Sequence, residues 1–275
     1  RVSLVEESEY SDSDAQVAIA TTQGSAAEME ESFCLTYVMA LAGQENDRQS
    51  GLGFTMGRSA AELDPAEAGV DAAAKAAALL GARPCATGLY TVVFTPEVGS
   101  ALLAAVAGAL SAEAVQKGRS VFAGRLGDEV GGELVDLWDD GLASGGLSTA
   151  PFDGEGVPSR RTALVSEGVL RSYLHDTYTA RKEGGETVST GNAMRSSYRS
   201  VPVVGTSNLL LRRGRGSLED LLQRVGEGLL VENAAGIHSG INPATGEISL
   251  GVLGHLIEGG AVGRPVREVT IATDF

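Results

Sequence analysis

Cysteine, histidine and aromatic residues are all scarce in this chain. It has 275 residues, of which two are cysteine, three are histidine and 5% are aromatic. Cys34 and Cys85 stand far apart and outside any CxxC spacing, which argues against a disulfide framework and for a reducing cytoplasm. Basic residues are also in deficit, 21 against 36 acidic ones, for a net charge of -15. That balance excludes a nucleic-acid backbone as the expected partner, because such affinity comes from clustered Lys and Arg. The short cluster Arg212, Arg213 and Arg215 lacks interleaved aromatics and reads as a solvated hairpin end. No apolar run approaches the roughly 18 residues of a membrane span. The longest, from Ser100 to Leu110, is short and rich in Ala and Gly, and neither a membrane segment nor a secretory leader is expected.

What remains is a globular composition. Apolar residues make up 43%, so the core must be built from Ala, Val and Leu, and 37 glycines imply tight turns and small-residue packing. The length suits two modest domains. β-forming runs at Val2–Glu7, Gln16–Thr22, Glu30–Ala42 and Gly51–Arg58 predict a strand meander, with turns in the acidic Ser/Asp and Gly/Ser stretches between them. A helix then runs to Leu80. Asp64 caps it, Pro65 opens it, Glu67 completes a capping-box spacing, and Gly81 ends it. The domain division falls near Gly81–Ala86, giving parts 1–83 and 84–275. Beyond it come a strand at Leu89–Phe94 and a small-residue helix near 96–117 with Thr95 as cap and Gly118 as stop. A hairpin follows across Ser166-Glu167-Gly168, then a strand at Asn208–Arg213, a helix near 217–230 capped by Ser217 against Asp220, and a closing hairpin of Ile248–Glu258 with Pro265–Ala272. The fold class is α+β, rich in antiparallel sheet.

Taken alone, the chemistry-bearing residues name no enzyme. His175, His238 and His255 lie 63 and 17 residues apart and outside the predicted helices, so no HExxH or HExxxH pair can present two imidazoles on one helical face. No GxSxG elbow occurs. His175 and Asp176 are strand neighbours pointing to opposite faces, and His175 reads as a strand-end residue with a local hydrogen bond. His255 reads as a packing or edge residue, whereas His238 sits in a glycine-flanked loop, where binding residues concentrate. Both cysteines read as small buried hydrophobes. Asp139 and Asp140, and Asp153 and Glu155, read as solvated turn residues.

Several runs taken together are more specific. They are Leu110-Ser111-Ala112-Glu113-Ala114-Val115-Gln116-Lys117-Gly118-Arg119-Ser120, Pro151-Phe152-Asp153-Gly154-Glu155-Gly156-Val157-Pro158, and His175-Asp176-Thr177-Tyr178-Thr179-Ala180-Arg181-Lys182. Ser189-Thr190-Gly191-Asn192-Ala193 and His238-Ser239-Gly240-Ile241-Asn242-Pro243 follow. In this order they resemble the TldD/PmbA family, formerly described as modulators of DNA gyrase, and its PmbA (TldE) branch in particular. The resemblance covers essentially the whole chain and implies further segments at both ends, an N-terminal α/β portion and a last β segment.

In the TldD branch a His-Glu-x-x-x-His zinc motif precedes the Gln-Lys-Gly-Arg-Ser-like stretch. Counting back from Ser120 puts its ligand positions at Leu103 and Gly108 and its general base at Ala104, so no catalytic or metal-binding residue carries over. The resemblance implies a heterodimer in which a TldD-like subunit holds the zinc and the two chains enclose a chamber for short or unfolded peptides. Gly191, Asn192, Arg195, His238 and Gly240, common to both branches, are the candidates for chamber lining or interface. Three readings stay open at this point: a non-catalytic subunit, a standalone binding or scaffold protein, and a peptidase centred on His238. A homo-oligomer remains open beside the heterodimer.

Overall fold

The computed structural model describes every residue except 1, 23, 25, 45 and 46. Parts of the turns expected after the second and third runs therefore lie outside the described residues. Strand β1 (Val2–Ala20) pairs antiparallel with β2 (Ala26–Ala42), which pairs with β3 (Gln49–Gly57). The first two expected strands are thus a single strand, and the Ser/Asp stretch between them is part of the ladder, not a turn. β3 covers only Cys34–Ala42 of β2, so the outer part of the hairpin is a two-stranded ribbon.

Helix α1 (Pro65–Ala78) covers β3 and β2 at very short range. Its Ala68, Ala72 and Ala76 are buried, and the strand opposite offers Gly51 and Gly53. A Cβ on Gly53 would stand 2.1 Å from the Ala68 carbonyl oxygen. The cap differs in detail from expectation. Asp64 accepts from the Ala66 and Glu67 amides, but its own N–H donates to Thr55 Oγ1, so the reciprocal half of the capping box is absent.

The second part has two four-stranded sheets. One has the order β13-β12-β11-β4, from β4 (Thr91–Phe94), β11 (Gly228–Ala235), β12 (Glu247–Glu258) and β13 (Ala261–Asp274), with β4 parallel to β11. The other has the order β10-β5-β6-β7, from β5 (Leu137–Asp140), β6 (Arg161–Ser166), β7 (Val169–Leu170) and β10 (Leu209–Leu211). β8 (Ala193–Met194) and β9 (Val203–Val204) form a small pair. Helix α2 (Pro96–Ala109) lies between the sheets. Val98, Leu102 and Ala105 pack with Leu229, Val231, Leu250, Val252 and Val266. Leu103, Val106 and Ala109 pack with Leu110, Leu164, Leu170 and Leu174.

Two expected helices are shorter than their patterns suggest. The helix near 96–117 breaks at Leu110–Ser111 because Leu174 N donates to Leu110 O at 3.0 Å and Ala112 N donates to Leu174 O at 2.9 Å. α3 (Ala112–Gln116) then starts separately, and Thr95 makes no side-chain cap. The helix near 217–230 is α5 (Leu218–Val225), with the expected Ser217–Asp220 capping box. Gly226 ends it at φ 72°, and Gly228–Leu230 belong to β11. The remaining helices are α4 (Thr177–Glu183) and the four-residue α6 (Ile237–Gly240).

Candidate functional site: a cleft beside the central helix

Two faces of α2 are taken up by the two cores. The third, carrying Ala104, Ala107 and Gly108, opens on a cleft of about 380 Å³. Opposite stand α3 and the turn after it, with Glu113, Ala114, Lys117 and Arg119, while Leu174, Val204 and Gly205 complete the walls. Small residues keep the cleft open, since a Cβ added at Gly108 would meet nothing within 4 Å.

Charge in the cleft is uneven. Lys117 Nζ pairs with Glu113 Oε1 one helical turn away. Arg119 is exposed, and among the described residues its guanidinium has no hydrogen bond or ion pair. Its backbone is fixed: Arg119 N donates to Ala114 O at 2.8 Å, and neighbouring Ser120 Oγ donates to Ala109 O at 2.6 Å.

A buried polar network holds the wall at Gly205. Asn192 O accepts from Gly205 N at 2.9 Å, and Asn192 Nδ2 donates to Gly205 O at 3.0 Å and to Asp139 Oδ2 at 2.6 Å. Ser207 N and Oγ donate to the same Asp139 carboxylate at 2.8 and 2.7 Å. Asn192 therefore stands one layer behind the cleft. Asp139 is 1% exposed on β5 and not in a solvated turn, and Asp153, at 7%, is likewise buried, accepting from the amides of Glu155, Val157 and Ala193. Burial of a carboxylate is tolerated where several donors surround it. The Leu137-Trp138 pair before Asp139 was the available signal for a strand.

The other candidates are dispersed. Gly191 has φ 79°, and a Cβ there would stand 2.8 Å from Pro158 O. Arg195 Nε donates to Gly154 O at 2.6 Å and its Nη1 to Ser200 O, bracing the loop that meets Ile19 of the ribbon. His238 is exposed on α6, which packs against the opposite flank of α2, and Gly240 abuts Ser249 O, 2.1 Å from where its Cβ would be. The structure does not gather these five residues into one site.

Of the other two histidines, His175 differs from expectation, while His255 is buried as the packing alternative had it. His175 is buried with no partner for Nδ1, and burial pushes its pKa down. Asp176 turns away to cap α4, accepting from Thr179 N. His255 lies on the interior strand β12, not at an edge, with Nδ1 2.5 Å from Glu232 Oε2 and Nε2 3.2 Å from Ala78 O. The basic cluster is not wholly solvated either, because Arg212 Nη1 donates to buried Asp136 at 2.7 Å and holds that carboxyl below its usual range. Cys34 is buried as expected and Cys85 only partly so.

The zinc of the family does not fit the residues present. Leu103 packs into the apolar core, and Ala104 and Gly108 offer no donor atom. Among the described residues no group of three His, Cys, Asp or Glu side chains could hold a metal ion. No helix of the described residues is long and apolar enough to cross a membrane.

The structure is an α+β scaffold with a central small-residue helix between two largely antiparallel sheets. The chain matches the PmbA/TldA metallopeptidase central domain over residues 1–80 and the PmbA/TldA metallopeptidase C-terminal domain over residues 87–275, and it belongs to this family on the PmbA/TldE-like side. A metalloprotease of Methanocaldococcus jannaschii is 29% identical over 97% of this chain and 59% of its own length. Metalloprotease PmbA of Escherichia coli O157:H7 is 29% identical over 84% of this chain and 49% of its own. A Thermotoga maritima structure described as a modulator of a DNA gyrase has a TM-score of 0.90 at 33% identity, over 100% of this chain and 62% of that one. TldE from Thermococcus kodakarensis, at 23% identity, shares the fold with a TM-score of 0.87 over 97% and 60% of the two chains. The chain spans between about half and three fifths of the length of these curated relatives.

Proposed function

We propose that this chain is the metal-free, TldE-like subunit of a cytoplasmic two-subunit zinc peptidase acting on short or unfolded peptides, with the zinc in a TldD-like partner. One observation carries the reading. Helix α2 carries Leu103, packed into the core, and Ala104 and Gly108, lining the cleft, at the positions where the TldD branch is expected to have His, Glu and His. An alkyl group, a methyl and a hydrogen can neither ligate zinc nor accept a proton from a metal-bound water. The fold is nevertheless kept around an open cleft, which favours a supporting role over a lost one. Gly191, Asn192, Arg195, His238 and Gly240 are then interface or wall residues. Hydrolysis of an unstructured peptide tests this. Turnover is expected only when the chain is coexpressed with a TldD-like subunit, and a chelator should abolish it. Chelator-sensitive turnover by the chain alone refutes the reading. Binding of peptide with no gain in turnover on adding the partner would instead establish a standalone binding protein.

A further inference from the structure

We propose that the cleft beside α2 is a binding site for the free C-terminal carboxylate of a short peptide, with Arg119 as its ion-pair partner. In a protein of net charge -15, this cleft carries one cation, Arg119, that has no ion-pair partner among the described residues. Lys117 is neutralised by Glu113, whereas Arg119 has no hydrogen-bond acceptor among the described residues. A guanidinium presents parallel N–H donors that match one carboxylate.

Shape and lining favour a peptide end over a bare organic acid. A cube of 380 Å³ is roughly 7 Å on a side, the span of about two extended residues. Ala104, Gly108 and Gly205 let a backbone approach closely, and half-buried Val204 offers apolar surface to a terminal side chain. The walls are also organised before a ligand arrives, since Arg119 N is bonded to Ala114 O, the Ser120 hydroxyl to Ala109 O, and the Gly205 wall is clamped by Asn192. Preorganisation lowers the ordering cost of binding. Carboxylate binding here needs neither a metal nor a partner subunit, so it is independent of the accessory-subunit reading and is tested on this chain alone.

The experiment is calorimetric titration of the chain with N-acetyl-Gly-Ala-Leu as the free acid and as the C-terminal amide, with acetate and inorganic phosphate as further probes. The acid should bind at least about tenfold tighter than the amide, a difference of about 1.4 kcal/mol, and tighter than acetate or phosphate by a similar factor. Arg119→Gln should bring the acid down to the level of the amide. Gly108→Leu, which fills the cleft without changing its charge, should abolish binding of both while leaving the fold intact. Equal affinity for acid and amide overturns the proposal, as does no detectable acid binding at about 10 mM. An acid affinity untouched by Arg119→Gln, or phosphate binding as tight as the acid, overturns it equally.

Discussion

His255 joins the two parts of the molecule, and removing its partner should reveal a pH-dependent contribution to stability. Its ring nitrogens face only acceptors, the Glu232 carboxylate at 2.5 Å and the Ala78 carbonyl at 3.2 Å. Both contacts are satisfied at once only by the doubly protonated imidazolium. Ala78 O belongs to the last turn of α1, where unpaired carbonyls and the helix dipole favour a cation. The bond to Glu232 is the main cause of a raised His255 pKa, acting against burial. Lys75, Glu97 and Glu232 line one small cleft at this junction, where Lys75 also pairs with Asp71 at 2.7 Å and with Glu97 at 2.9 Å. Lys75, Asp71 and Glu97 largely satisfy one another and leave Glu232 to His255.

A histidine with a raised folded pKa stabilises fully below its unfolded value of about 6.5. The contribution is lost as pH rises through the folded value. His175, whose pKa burial lowers, acts in the opposite sense, losing stability as pH falls below about 6.5. Comparing wild type with Glu232→Gln at each pH cancels the His175 effect. A charge-assisted hydrogen bond with a partly exposed partner contributes about 2 kcal/mol, which for a chain of this size is roughly 4–8 °C in melting temperature. Urea and thermal unfolding should show that gap near pH 6 and a clear narrowing by pH 9. A gap that stays constant across this range, or a Glu232→Gln variant as stable as wild type at pH 6, refutes the reasoning.

Two further outcomes follow from close packing and from the buried network. Gly53→Ala places a Cβ 2.1 Å from Ala68 O and 2.7 Å from Ala72 N, so α1 must move as a body. The cost should be at least about 1–3 kcal/mol by urea unfolding, whereas Gly69→Ala, with nothing within 4 Å, should be neutral or stabilising. Asn192→Ala deprives both the Asp139 carboxylate and the Gly205 carbonyl of donors. A loss of about 2–4 kcal/mol is expected, with faster amide exchange at Gly205 than at residues of β12.

Where local chemistry governs, the sequence was enough. Asp64 and Pro65 open α1 because caps act within a turn of chain, whereas the helix ends at Ala78, short of the expected Leu80, and Gly81 N donates to the Asp47 carboxylate. Glu167 and Gly168 both take positive φ in the turn from β6 to β7. The errors share a cause, which is pairing with distant chain. Ser8–Ala15 has the composition of a turn, yet pairing with Glu31–Val38 of β2 keeps it extended. Continuous helical pattern across Leu110–Ser111 yields to the two hydrogen bonds with Leu174. The site was legible in one respect: Ala104 and Gly108, singled out on the small-residue helix, both line the cleft, while Leu103 packs into the core. Asp139 behind the cleft was not, because its donors come from residues more than 50 positions away. The end of α5 is a different matter, since Gly226 and Gly228 marked it in the sequence and the longer helical pattern obscured them.

Gly108 shows why packing alone does not account for the cleft. Glycine within a helix costs about 0.5–1 kcal/mol relative to alanine. Elsewhere in this molecule such a cost is offset by close approach, as at Gly51 and Gly53 against α1. At Gly108 nothing approaches: the position is exposed and helical, and a methyl group added there would have no neighbour within 4 Å. Neither the fold nor the packing of α2 therefore requires glycine here, and what it preserves is room in the cleft. Gly108→Ala should accordingly raise stability by up to about 1 kcal/mol, nearer the lower end because the helix ends one residue later. A stability loss would mean that the neighbouring walls already close on this position and that the cleft is narrower than its 380 Å³. A gain in stability with weaker binding of the free-acid peptide would show that this helix trades stability for access.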